Sequence, residues 1–166
     1  MSDIAAQFWR FSVAIYAKPG VAPACLVLQD QFGRDVNVAL FCCWLGASGR
    51  GLLSRDTLDA ADRAVAPWRH QVVEPLRGAR RSIKAELADG NEALYAKAKA
   101  IELEAERALQ RKLVEQAPPA VLELTATQRL EAALGNLALY LGDAPAEPIR
   151  AALRAMAKDN FVVGAV

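Results

Sequence analysis

The twelve residues Asp35–Gly46, DVNVALFCCWLG, constrain this chain more than any other stretch. After Asp35 none carries a charge. Val36, Val38, Leu40, Phe41, Cys42, Cys43, Trp44 and Leu45 point in every direction that a helix offers. A helix that is apolar all round has to be enclosed by others. Residues of about 36–46 are therefore read as the central pillar of an all-α domain, with Asp35 or Asn37 as its cap.

The flanking sequence keeps a helical rhythm. Ile4, Phe8, Phe11 and Ile15 form one stripe, and Val21, Cys25, Leu28 and Phe32 a second. Lys18-Pro19-Gly20 and Gly33 punctuate them. Gly46-Ala-Ser-Gly-Arg-Gly51 reads as a flexible turn. It follows a helix and lacks the Lys-Ser/Thr of a phosphate-binding loop. Ser54 or Asp56 caps a short helix carrying Leu58, Ala61 and Val65. Pro67 is expected to begin a new segment, with Trp68, Val72, Leu76, Ile83 and Leu87 in one stripe and a kink or break at Pro75. From Glu92 to about Gln116 the chain is rich in Ala, Glu, Lys and Arg without Gly or Pro, and reads as one long helix. Its narrow seam is Leu94, Ala98, Ile101, Ala105 and Ala108 or Leu109. Helices capped by Thr125 and starting near Pro145 complete the chain, followed by the short apolar end Phe161–Val166. The expected fold is an irregular bundle of seven to eight helices in a single domain, 1–166. It divides into a compact half, 1–89, and a long-helix hairpin half, 90–166.

Composition removes several classes of function. A chain of 166 residues builds a core without disulfides or metal. The net charge of +1 argues against a dedicated nucleic-acid binder. No basic-then-apolar leader is present, and the unbroken apolar or small run Val38–Ala47 is about half a membrane span. The expectation is a soluble cytoplasmic protein with no membrane insertion. Three cysteines, two of them adjacent, make no disulfide framework. With one histidine, no Cys-x-x-Cys and no Glu-x-x-His, no metal or cofactor is expected. Cys25, Cys42 and Cys43 fall on apolar faces and read as core.

The most informative polar feature is the basic helix after Pro75. Arg77, Arg81 and Lys84 lie at i, i+4 and i+7 with Arg80 beside them, and Trp68 and His70 are near in sequence. Arginine forks suit carboxylate and phosphate groups, so Trp68, Arg77, Arg80, Arg81 and Lys84 are candidate ligand-binding residues for a small anion. The competing reading pairs these arginines with acids inside the fold, with Asp30, Asp35, Asp56, Asp59 and Asp62 as partners. His70 with Glu74 at i+4 reads as an ion pair. Glu102, Glu104 and Glu106 read as a solvated face. No catalytic constellation emerges, and no catalytic residue is named.

Phe8-Trp9, Tyr16-Ala17, Gly20-Val21, Leu28-Gln29-Asp30, Asp35-Val36-Asn37, Trp44, Pro67-Trp68, Pro75-Leu76-Arg77 and Arg80-Arg81, in that order, resemble a family of small proteobacterial proteins of unknown function. The resemblance covers residues 4–88. It implies a bacterial cytoplasmic protein and transfers no activity. It also singles out Gln29, Asp30, Asp35 and Asn37, which converge with the arginines in a polar network or pocket if the second, central and basic helices pack together. The function expected from the sequence is a non-enzymatic helical interaction or regulatory protein. It would self-associate or bind a protein partner through the long helix, the apolar tail or both. The alternative is a small-anion-binding protein or enzyme using Arg77, Arg81 and Lys84.

Overall fold

The computed structural model describes residues 4–87, 90–121 and 123–162. Its helices are α1 (Ile4–Tyr16), α2 (Val21–Phe32), α3 (Val36–Ala47), α4 (Arg55–Trp68), α5 (Glu74–Ala85), α6 (Glu92–Val114), α7 (Ala126–Leu141) and α8 (Glu147–Lys158). A π-helical turn, Arg69–Val73, joins α4 to α5. No strand occurs among the described residues, and the fold is all-α.

Local chemistry sets the boundaries. Gly33 closes α2 in the left-handed region, at φ +60°. The Asp35 carboxylate accepts the Asn37 N–H at 2.7 Å and starts α3. Ser54 caps α4, and Thr125 with Gln128 forms a reciprocal capping box on α7. Neither proline acts as the sequence led one to expect. Pro67 lies inside α4, near its end. Pro75 sits in the first turn of α5, and the chain stays helical through it. The turn before it is widened, with the Glu74 N–H donating to the Arg69 carbonyl, so the missing proline N–H and the ring are accommodated without a break.

Every residue of α3 from Asn37 to Ala47 is buried. Phe8 of α1 packs on Phe41 and Trp44, with ring centroids 5.6 and 5.2 Å away. The closest neighbour of α3 is α7. Gly46 was expected to open a loop; instead it is the penultimate residue of α3 and lies against the α7 backbone. A Cβ there would stand 2.1 Å from the Ala133 nitrogen and 2.4 Å from its Cα. The two helices approach this closely because position 46 has no side chain. Asn136 on α7, itself buried, locks the exit from α3. Its Oδ1 accepts the Leu53 N–H at 2.8 Å, and its Nδ2 donates to the carbonyls of Gly51 at 3.0 Å and Cys42 at 3.3 Å.

One apolar core runs from Phe8 to Met156 and draws on both sides of residues 89/90. The long helix packs on α1, α3, α4 and α5, while α7 packs chiefly on α3 and α8. The expected hairpin of the long helix with its successor is replaced by this interleaving. The far end of the apolar tail, 163–166, lies outside the described residues; Phe161 packs against the core. No single helix among the described residues is long and apolar enough to cross a membrane.

Candidate functional site

The basic helix and the acidic residues meet, largely inside the fold. Arg77 donates from Nε to Glu102 at 3.3 Å and from Nη2 to Glu106 at 2.9 Å. Arg80 pairs with Glu102 as well. Of the solvated acidic face expected on α6 only Glu104 is exposed; Glu106 is half-buried, and Glu102, 6% exposed, is the buried acceptor for two guanidinium groups. The helical period explains this. Glu102 stands on the same side of α6 as Ala105 and Leu109, which are core. Burial raises the pKa of Glu106, while Arg77 pulls it the other way. For Arg80 the hydrogen bond it donates to Glu102 is the largest influence, and it raises the guanidinium pKa.

A second cluster forms around Asp35. Arg69 on the π-helical turn pairs with both Asp35 and Asp62. Burial alone lowers the Arg69 pKa, but the two carboxylates outweigh it and raise the value. The Asp35 N–H donates to the Tyr140 hydroxyl at 2.9 Å, and Arg34 lies over the Tyr140 ring, 5.6 Å from its centroid. Asp35 thus caps α3 and also ties α4, α7 and the π-helical turn to its start.

The remaining candidates separate. Arg81 donates from one nitrogen, Nη2, to both Asp30 carboxylate oxygens at 2.9 and 3.2 Å, on the surface. Gln29 lies beside that pair, donating to Asp30 at 3.3 Å. Asn37 faces away from the arginines. Its Oδ1 accepts from Gln110 Nε2 at 2.9 Å, and the same nitrogen donates to Ser12 at 3.1 Å, in a buried polar link between α1, α3 and α6. Trp68 donates its indole N–H to the Ala105 carbonyl at 3.0 Å, and Lys112 lies over its ring. Lys84 is exposed in the last turn of α5. Between the two ion-pair clusters lies a cleft of about 100 Å³ reached by Gln29, Asp35, Arg69, His70, Glu74 and Arg77. Its Arg69 and Arg77 are already neutralised by Asp35, Asp62, Glu102 and Glu106.

The nucleophiles are equally committed. Cys25, Cys42 and Cys43 are buried free thiols. Burial pushes Cys25 and Cys42 up to about 12 and Cys43 well above the ordinary thiol range, so all three are protonated and unreactive near neutral pH. His70 shares a 2.9 Å contact with Glu74 at an exposed position. No group of three or more His, Cys, Asp and Glu placed to hold a metal ion occurs among the described residues.

Sequence reasoning assigned no role to Tyr140, Glu102 or Gln110 in this network. Tyr140 lies 105 positions from Asp35 with no motif around it. Glu102 alone carried a usable signal, its helical register with Ala105 and Leu109.

Fold and site together define a small all-helical protein whose polar residues chiefly bind one another. The chain belongs to the family described as protein of unknown function (DUF2390), whose model matches residues 7–113. That span runs from α1 almost to the end of α6 and holds both ion-pair clusters except Tyr140; α7 and α8 lie beyond it. No curated protein and no solved structure matches the chain.

Proposed function

We propose that this protein is a non-catalytic helical interaction module that pairs with a second copy of itself through α6. The observation that carries this reading is the first half of α6. Leu94 is 53% and Ile101 52% exposed, and no residue from Glu92 to Ile101 is buried. Only from Glu102 onward does the helix enter the core. Its companion, α5, contributes no buried residue either. The two helices pack on each other as an arm.

Leu94, Lys97, Ile101, Glu104 and Ala108 follow at spacings of three and four and share one face. Two copies of that face, placed antiparallel about an axis near Ala100–Ile101, bring Lys97 of each opposite Glu104 of the other. The surface is self-complementary in charge as well as in apolar character, as a two-fold interface requires. The basic face of α5 favours the same reading over an anion site, because Arg77, Arg80 and Arg81 each hold a carboxylate.

Light scattering on the full-length protein tests the proposal. The expected result is a dimer that Ile101→Glu converts to a monomer at unchanged helicity. Lys97→Glu and Glu104→Lys should each weaken the dimer, and the two together restore it. A wild-type monomer over the whole accessible concentration range sinks the proposal, as does a dimer indifferent to Ile101→Glu.

A further inference from the structure

A second, larger cleft opens at the end of α3, and no acid among the described residues pairs with its arginines. It has a volume of about 410 Å³. Gln7 and Arg10 of α1, Ser48 after α3, and Arg129 in the first turns of α7 supply its polar side, and Trp44 and Phe161 its apolar side. Among the described residues no carboxylate lines it.

Arg10 and Arg129 line this cleft with Trp44, and Arg50 lies over the Trp44 ring beside it. Arg50 lies 5.0 Å from the Trp44 ring centroid and donates to the Pro118 carbonyl at 2.9 Å. Arg10 and Arg129 face the cleft. None of the three has a carboxylate partner among the described residues. The Nε atoms of Arg50 and Arg129 are buried without an acceptor. A buried donor left without a partner is costly and calls for an explanation. Arg50 has its pKa lowered by burial with no acid offsetting it, the reverse of Arg69.

A further feature points the same way. Arg129 sits at the amino-terminal end of α7, where a positive charge opposes the helix dipole. A cation is unfavourable there for the helix unless an anion pairs with it. At the other wall, the Trp44, Leu45 and Gly46 carbonyls that end α3 accept the N–H groups of Ser48, Arg50 and Gly49.

We infer that this cleft binds a small organic anion, its carboxylate or phosphate head between Arg10 and Arg129 and its apolar body against Trp44 and Phe161. The volume suits a whole small molecule instead of a bare ion. Guanidinium forks take either head group. Gln7 supplies an amide to orient the ligand. This inference is independent of pairing through α6.

Benzoate, phenyl phosphate, inorganic phosphate and benzyl alcohol, titrated into the full-length protein, test it. Benzoate or phenyl phosphate at saturation should raise Tm by about 5 °C. Benzyl alcohol, which lacks the charge, and inorganic phosphate, which lacks the body, should do much less. Which of the two aromatic anions is the stronger tells carboxylate from phosphate. Arg10→Gln and Arg129→Gln should each weaken binding about tenfold or more, whereas Arg154→Gln, at an exposed arginine on α8, should leave it unchanged.

Should either cleft variant fail to fold, phenylglyoxal labelling of the wild type gives the answer. The aromatic anion should protect Arg10 and Arg129 from modification, as mapped by mass spectrometry. Absence of any shift with both aromatic anions overturns the inference. So does a shift retained in both folded variants, or protection that falls on Arg77 and Arg81 instead.

Discussion

The α3–α7 contact and the α5–α6 arm solve the same problem, joining two helices, with opposite chemistry. Where α7 meets α3 the surface is made of Gly46, Ala132 and Ala133, and the backbones nearly touch. Where α6 meets α5, long side chains bridge the gap, with Arg77 and Arg80 reaching Glu102 and Glu106. The first contact is close and fixed by shape, with Asn136 as its one buried polar link to α3 among the described residues. The second is specified by charge and leaves Leu94 and Ile101 in solvent. Close packing of small residues leaves no room for adjustment. Ion pairs tolerate small displacements, and their net contribution is reduced by desolvation. A protein that keeps one rigid contact and one forgiving contact has its stability in the former and its adaptable surface in the latter.

The largest effect is expected at the rigid contact. Gly46→Ala inserts a methyl group 2.1 Å from a backbone nitrogen, with no flexible side chain to give way. A loss of about 3 kcal/mol or more is expected, the upper range for overpacking, measured as a lowered urea midpoint at unchanged slope. A variant of wild-type stability breaks the distinction between the two contacts.

Glu102→Gln comes next. It leaves Arg77 and Arg80 half-buried around a neutral amide, and a loss of about 2 kcal/mol is expected, below the figure for fully buried pairs because both arginines retain some solvent. Replacing the whole cluster by apolar residues of similar size, Arg77→Met, Arg80→Met, Glu102→Leu and Glu106→Leu, should recover most of that loss. If the quadruple variant is worse than the single one, the cluster stabilises outright and is more than a device of specificity.

Arg81→Ala is expected to have the smallest effect, about 0–1 kcal/mol, because both partners of the Asp30 pair are roughly half exposed. The hydrogen bond from Arg81 lowers the Asp30 pKa from its ordinary value of 3.8. An acid depressed in the folded state stabilises above its unfolded value and loses that contribution as pH falls through the folded one. Urea midpoints of wild type and Arg81→Ala should therefore differ near neutral pH and converge below pH 3.8. A difference that persists in acid assigns Arg81 a packing role instead of an ionic one.

Much of this architecture was written locally. The uncharged run from Val36 to Leu45, apolar but for Asn37, allowed no arrangement but an enclosed helix. Asp35, Ser54 and Thr125 stood where caps were needed. The pairing of Arg81 with Asp30 was within reach, and so was the burial of the thiols. Pro67 and Pro75 misled, because tertiary packing holds the chain helical past both and a widened turn absorbs the second. Glu102 was misread because a carboxylate in an Ala/Glu/Lys-rich helix is ordinarily solvated, and only the approach of Arg77 and Arg80 makes its burial tolerable.

Local pattern set the helices and which of them had to be innermost. Hydrophobic period, caps and breakers act within a few residues of one another and need no fold to be read. Tertiary structure alone decided that α7, not a neighbour in sequence, presses against Gly46. It also decided that Arg69 and Tyr140 meet at Asp35, and that Arg10 and Arg129 face one cleft from helices more than a hundred residues apart. Those outcomes depend on which faces meet, and a chain's local pattern specifies that a face is apolar or basic without specifying what it will touch.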